Sequence, residues 1–463
     1  MIDKEKVIYF HKYEADESGR VFKLNGEIYR EIYPNYVEEV KELFKSGAIS
    51  ELIDRKLLID TKMTELHLQE GDLILQHEFV PVCTHAYEWS YGMIADAGKL
   101  VVEILHVLNK YGYELKDCHT ENILFIHNTP VFVDFGSIIL NKRQGKPVCD
   151  LEFLVTYCCP LIMSNTKYEG VVRSLYKTNS LMENRELLFK LSNIKLSKYK
   201  NWLDDVQWKL LYDDFNPTSK KWKIASKIGT VLKSTYFISQ NKLDQRRIKC
   251  IRKYEQILNT NCKFHKSTKW EDYYENESVQ NRRFDILIEK IIEYDKQINT
   301  IWEIGANSGL FAKKLKKRCN IKSYIVTDYD MNAVEKCYQR FKNNNVYVAN
   351  VDVNEVYWDC LGGNEIERFR SDLVIALALL HHLILSQKLN IRWIVKMLYD
   401  ATNAYVLTEF VPLGLWNGTD HDISVPVWYT YDWFLQEMEV YFDILWEEKT
   451  EKNRISVLLK KKT

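Results

Sequence analysis

Apolar and polar residues alternate with a period of two from Val21 to Tyr33, and the alternation centres on Asn25-Gly26. That pattern predicts a β-hairpin with a two-residue turn, because Asn-Gly tolerates the positive φ angles such turns demand. Apolar positions at helical spacing follow from Val37 to Leu58. Leu73 to Val82 then reads as a strand and Glu88 to Tyr111 as a long amphipathic helix. The short apolar runs Ile123-Leu124-Phe125 and Val131-Phe132-Val133 predict a small hairpin, and residues 150–250, rich in Leu, Lys and Tyr, predict packing helices.

From Ile301 onward strands and helices alternate, which argues for a parallel α/β sheet. The expected strands are Thr300 to Ile304, Ser323 to Thr327, Val346 to Ala349, Leu373 to Ala376 and Tyr405 to Thr408. Two further strand-like runs, Phe442 to Glu448 and Arg454 to Leu459, are joined by only a few polar residues. A connection that short forces an antiparallel pair.

Composition narrows the picture. A chain of 463 residues exceeds one ordinary core, so at least two domains are expected. Hydrophobic residues at 46% and charged residues at 28% match a soluble globular protein. Lys plus Arg and Asp plus Glu both number 64, which gives no pull toward a polyanion and argues against a nucleic-acid partner. The charged start, Met1-Ile2-Asp3-Lys4-Glu5-Lys6, lacks the apolar run of a signal peptide, and no stretch of about 18 apolar residues suggests a membrane span. A cytoplasmic location is the expectation. The ten cysteines form no C-x-x-C pair, so neither a zinc site nor a disulfide framework is indicated.

The turn after Thr300 to Ile304 reads Glu303-Ile304-Gly305-Ala306-Asn307-Ser308-Gly309. Gly305 admits close approach of a ligand to the backbone, and Gly309 admits close packing of the following helix. Asp328, at the end of the second strand, is placed to accept hydrogen bonds from both hydroxyls of a ribose, and Asp352, after the third, to face an adenine. Dinucleotide binding is disfavoured, because Asn307 stands where that motif needs a second glycine for the pyrophosphate. His381 and His382 follow the fourth strand and Glu409 ends the fifth, at the carboxyl edge where open α/β sheets bind ligands. Each is a candidate general base or orienting group for an acceptor, although many group transfers need only proximity and alignment.

In the front half, Leu115-Lys116-Asp117-Cys118-His119-Thr120-Glu121-Asn122 has the D-x-x-x-x-N spacing of a kinase catalytic loop, and Asp134-Phe135-Gly136 follows one hairpin later. On that reading Asp117 accepts a hydroxyl proton, while Asn122 and Asp134 hold Mg2+ against the phosphates of ATP. Two parts are defective: the phosphate-covering loop lacks G-x-G-x-x-G, and Arg30 stands where a phosphate-pairing Lys is expected. Arg has a wider, forked head and is not a conservative exchange at a tight phosphate site.

The combination resembles bacterial methyltransferases that use S-adenosylmethionine (SAM), are related to nodulation methyltransferases and carry a degenerate kinase-like front region. Its landmarks here are Tyr87-Glu88-Trp89-Ser90, Leu115-Lys116-Asp117, Pro130-Val131-Phe132-Val133-Asp134, Trp302 to Gly309 and Ala376-Leu377-Ala378-Leu379-Leu380-His381-His382-Leu383. The resemblance implies a C-terminal class I methyltransferase domain, Rossmann-like, with a seven-stranded sheet whose last strand is antiparallel, preceded by an α+β protein-kinase-like domain. The expected boundaries are 1–250 for the kinase-like domain, 251–295 for a helical linker and 296–463 for the methyltransferase. It implies SAM as cofactor, held by Glu303, Gly305, Ala306, Asn307, Gly309, Asp328 and Asp352. It implies methylation but names no acceptor; the expectation is an oxygen or nitrogen on a small molecule or saccharide. The front domain is then either a scaffold or an ATP-dependent phosphotransferase. Where the family often has Asp-Thr-Leu-Ser, this chain has Asp134-Phe135-Gly136-Ser137, closer to an active kinase. Leu413-Gly414-Leu415-Trp416 replaces the basic and acidic residues usual after Pro412.

Overall fold

A computed structural model describes residues 1–10, 16–141, 146–194, 240–261, 277–294, 298–358, 363–415 and 425–462. They form two compact units, each assembled from separated stretches of chain. The first comprises Met1–Glu78, Ala97–Asn122 and Phe132–Cys262; the second comprises Phe79–Asp96, Ile123–Val131 and Lys263–Thr463. Segments 79–96 and 123–131, which lie within the continuous front domain expected from the sequence, therefore group with C-terminal residues.

The first unit contains a five-stranded antiparallel sheet in the order β1-β2-β3-β5-β4, formed by β1 (Ile8–Tyr9), β2 (Gly19–Leu24), β3 (Glu27–Ile32), β4 (Thr61–Met63) and β5 (Leu73–His77). The hairpin β2-β3 turns at Asn25 and Gly26, with φ of 51° and 91°, the two left-handed positions of the expected turn. The helical stretch from Val37 is broken into Val37–Lys45 and Ala48–Asp54 by Gly47, whose φ of 86° lies outside any right-handed helix. The long helix runs from Tyr91 to Tyr111. Two three-residue strands, β6 (Tyr113–Leu115) and β9 (Ile138–Leu140), pair antiparallel and flank the Asp117 and Asp134 motifs. Of the helices expected between 150 and 250, Asp150–Phe153, Cys159–Met163, Glu169–Lys177 and Arg185–Leu191 are present; residues 195–239 lie outside the described residues.

The second unit holds the hairpin of β7 (Ile123–Ile126) and β8 (Thr129–Phe132) and a seven-stranded sheet. The sheet strands are β10 (Thr300–Ile304), β11 (Ser323–Asp328), β12 (Tyr347–Asn350), β13 (Ser371–Ala376), β14 (Thr402–Phe410), β15 (Phe442–Glu451) and β16 (Arg454–Lys461), in the order β12-β11-β10-β13-β14-β16-β15. The strands from β12 to β14 in that order pair in parallel, and β16 runs antiparallel to both β14 and β15. The order reverses beside β10, so the turns after β10 and β13 open the crevice in which such sheets bind ligands. Burial of Trp302, Ile304, Val374, Ala376, Val406 and Val457 fixes the sheet, and Trp302 satisfies its one polar atom by donating from Nε1 to Thr327 Oγ1 at 2.9 Å.

Segment 79–96 is tied into this unit by charge. Glu88, fully buried, receives Arg368 Nη2 on Oε1 at 2.5 Å and Arg368 Nη1 on Oε2 at 3.1 Å, and its Oε2 also accepts the His85 N–H at 2.7 Å. Arg368 Nη1 donates to the Cys83 carbonyl as well, at 2.7 Å. Nearby, the Gly92 N–H donates to Glu335 Oε2 at 3.0 Å, and a Cβ on Gly92 would fall 2.3 Å from Glu335 Oε1. Phe125 of β7 meets Trp89 and Tyr338 edge-on, and Asn128 Nδ2 donates to the Phe341 carbonyl at 3.2 Å.

Candidate active site

The turn leaving β10 takes three left-handed residues, Gly305, Asn307 and Gly309, with φ of 71°, 48° and 70°. Asn307 bears the strain of that conformation within a web of contacts. Its N–H donates to Asp328 Oδ2 at 2.8 Å, its Oδ1 accepts the Ser308 N–H at 2.7 Å and its carbonyl accepts the Cys337 thiol at 2.9 Å. A Cβ on Gly309 would stand 2.6 Å from Phe341 Cε2 and 3.1 Å from Cys337 Sγ, so the close packing expected there is against the helix after β11. A Cβ on Gly305 would press on Leu379 at 3.3 Å, which leaves the turn after β13 lying over bare backbone.

Asp328 ends β11 beside this turn. Its Oδ2 accepts from Asn307 and its Oδ1 accepts the Asp330 N–H at 2.8 Å. A carboxylate has about four acceptor positions, so acceptor capacity is left on Asp328 for a hydroxyl. Burial pushes its pKa up to about 6 against the N–H bonds from Asp330, Asn307 and Tyr329. Asn350 holds the loop below it, donating from Nδ2 to the carbonyls of Asp328 and Tyr329 at 2.9 and 2.8 Å. Asp352 accepts from the N–H and Nδ2 of Asn354 at 3.0 and 2.8 Å, and Asn354 Nδ2 also donates to Gln387 Oε1 at 3.1 Å. That chain ties the loop after β12 to the one after β13. Ala306 is buried within the turn.

Glu303 occupies a different environment. It lies inside the unit, accepting from Tyr324 OH at 2.7 Å, and burial pushes its pKa up to about 8. Its side chain is directed to Tyr324 of β11.

The residues after β13 and β14 converge. His381 and His382 lie with ring centroids 4.1 Å apart, and the 5% exposed His381 has no hydrogen-bond partner on Nδ1. Burial, then the positive charge of Arg454, drives both imidazoles below the ordinary value, and His382 adds to the effect on His381. Both are therefore neutral at pH 7. Glu409 is 1% exposed and fully engaged: Oε2 accepts the Ala378 N–H at 3.0 Å and Arg454 Nη1 at 3.2 Å, while Oε1 accepts Ser456 Oγ at 3.3 Å and faces Arg283 Nη1 at 3.4 Å. Ala378 has a φ of 53°, so Glu409 pins a strained backbone immediately before the residue that covers Gly305. Arg454 also pairs with Glu451 at 3.1 Å. Arg283, Arg454, Asn350 and Asn354 were invisible to motif reading; the only local signal was the tight turn that brings Glu451 and Arg454 together. Leu413 and Gly414 follow β14, and Trp416 lies outside the described residues.

In the first unit, Asp117, Asn122 and Asp134 come together around Ser137. Among the described residues no group of three or more His, Cys, Asp or Glu side chains is arranged to hold a metal ion, and no helix is long and apolar enough to cross a membrane.

No protein-family model matches the chain. It is 23% identical over 412 residues to nodulation protein NoeA of Rhizobium meliloti (strain 1021), covering 86% of this chain and 83% of that protein. A SAM-dependent methyltransferase from Aquifex aeolicus aligns at 14% identity with 42% of this chain and 100% of its own, with a TM-score of 0.32. The magnesium protoporphyrin IX methyltransferase of Synechocystis PCC 6803, with its demethylated cofactor bound, aligns at 12% identity with 43% and 90% and a TM-score of 0.29. Independently of these likenesses, the strand order with its antiparallel β16, the turn with left-handed residues at Gly305, Asn307 and Gly309, and the acidic end of β11 give the second unit the Rossmann-like sheet of class I methyltransferases.

Proposed function

We propose that this enzyme methylates an oxygen or nitrogen on a small molecule or saccharide. The reading is carried by the pair of neutral imidazoles, His381 and His382, at the carboxyl edge of the same sheet that presents the glycine turn and Asp328. An O–H or N–H acceptor loses a proton as it is methylated, and an imidazole already held neutral can receive it. SAM, when bound, supplies an electrophilic methyl group, and the residues that fit it are Gly305 to Gly309 for close backbone approach, Asp328 for the ribose and Asp352 for the adenine side. His381, whose pKa burial pushes down to about 2, is too weak a base to hold the proton and orients the acceptor by accepting its O–H or N–H on the unpartnered Nδ1, while the less buried His382 beside it receives the proton. Glu409 and Arg454 hold the loop that carries both.

A pH profile tests the histidine role. With both folded-state pKa values below the ordinary 6.5, kcat at saturating SAM is expected to show no loss as pH falls through 6.5. The same shift affects stability: His381 contributes fully above its unfolded pKa, and that contribution is lost as pH falls from there toward its folded value. A kcat that titrates with a midpoint near 6.5 would remove the neutral-imidazole reading.

For the first unit we propose a kinase-like scaffold rather than a phosphotransferase that makes the methyl acceptor. Asp117 is the residue whose carboxylate phosphoryl transfer would need as a base. Methylated product from extracts containing candidate acceptors, traced with isotopically labelled SAM, is expected to be equal for wild type and Asp117→Asn, with and without ATP. Dependence of product on both ATP and Asp117 would establish sequential phosphorylation and methylation instead.

A further inference from the structure

The acidic cluster of the first unit has the chemistry of a metal site but a different cation in it. Ser137 Oγ donates its one proton to Asp134 Oδ2 and lies 2.9 Å from Asp117 Oδ1, and Asn122 Nδ2 donates to Asp117 Oδ1 and lies 3.5 Å from Ser137 Oγ. Carboxylate and amide oxygens of this kind suit a hard divalent ion. Here, however, the guanidinium of Arg30, reaching over from β3, donates from Nη2 to Asp134 Oδ1 at 2.8 Å and from Nη1 to Asp16 Oδ2 at 2.5 Å. Its side chain is only 7% exposed.

Both oxygens of Asp134 are in use, since Oδ1 also accepts the Gly136 N–H at 3.1 Å and Oδ2 is bonded by Ser137. Gly136 itself is shaped to the pair: a Cβ there would stand 2.5 Å from Asp16 Oδ2 and 2.6 Å from Arg30 Nη1. A guanidinium cannot be deprotonated at accessible pH, so this charge is permanent. A divalent ion on Asp134 would have to displace it or stand beside it, against direct repulsion between cations in a half-buried setting. The donor set therefore does not fit magnesium in this chain.

We propose that Arg30 is a built-in counter-cation standing in for a metal, so that the first unit is held together without divalent ions and does not take up magnesium-bound nucleotide. Arg30, Asp16 and Asp134 form a lock across β3, the segment before β2 and the loop after β8.

The test is the melting temperature of the full chain with magnesium alone and with magnesium and ATP at millimolar concentration. Wild type is expected to show no shift in either. Arg30→Met leaves Asp16 and Asp134 facing each other without a cation; it is expected to melt lower and to regain several degrees as magnesium is titrated in. Arg30→Lys, which keeps the charge, is expected to stay unresponsive. Stabilisation of wild type by magnesium with ATP overturns the proposal, as does an Arg30→Met protein that melts like wild type or gains no response to magnesium. If Arg30→Met does not accumulate as folded protein, the wild-type titration decides: no response upholds the proposal and a response ends it.

Discussion

Glu88→Gln is expected to lower the opening free energy of the second unit by about 3 to 5 kcal/mol, the usual penalty for leaving one member of a buried ion pair uncompensated. Glu88 is wholly buried and is the carboxylate that Arg368 grips with both terminal nitrogens. The amide keeps the shape and its oxygen can still accept the His85 N–H, but its NH2 then faces Arg368 Nη2, so the loss combines the charge with one hydrogen bond. Arg368→Met should cost a comparable amount, and the double variant should recover much of it, because a neutral pair no longer strands a charge. Hydrogen exchange on β10 and β13 measures the opening of this unit by itself. If all three variants protect those strands as wild type does, segment 79–96 is not an integral part of the unit.

Asp328→Ala is expected to weaken SAM binding by about 100-fold or more, near 3 kcal/mol, from the loss of two charge-assisted hydrogen bonds. It also removes the acceptor that fixes the Asn307 N–H, so the left-handed turn loses its brace together with the ribose contact. Calorimetry on the free protein gives the number directly. Asp328→Asn keeps an oxygen for the Asn307 N–H but sets its NH2 against the Asp330 N–H, so it should fall between wild type and the alanine variant. Wild-type affinity in the alanine variant would place the cofactor elsewhere.

Local chemistry made some of this architecture readable. Asn25-Gly26 announces its turn because few residues accept two consecutive positive φ angles, and the expected strand Thr300 to Ile304 has the bounds seen in the structure. The antiparallel end of the sheet followed from the shortness of the β15-β16 connection. Periodicity failed at Gly47, where one left-handed residue splits a helix without disturbing the spacing of apolar positions on either side. It gave no sign that Glu303 points into the interior toward Tyr324, because a strand buried on both faces carries no alternation to read. The partners of Glu409 were hidden for another reason: Arg283 lies in the segment expected to be a linker, and Arg454 reaches Glu409 only because β16 inserts beside β14. Such pairings are set by the order of strands in the sheet, which no window of sequence contains.

The bond between Glu88 and Arg368 spans 280 residues of chain. At about 5 to 20 residues per second, a ribosome takes roughly 15 to 60 s to deliver the arginine after the glutamate has emerged. Throughout that interval Glu88 lacks Arg368, and the β7-β8 hairpin, once made, waits for Tyr338 and Phe341. The nascent chain must keep these apolar and charged groups from finding other partners while the intervening residues of the first unit collapse around them. A slowed or interrupted translation in this stretch would lengthen the exposure, and chaperone occupancy should concentrate on residues 79–96 and 123–131 of the growing polypeptide.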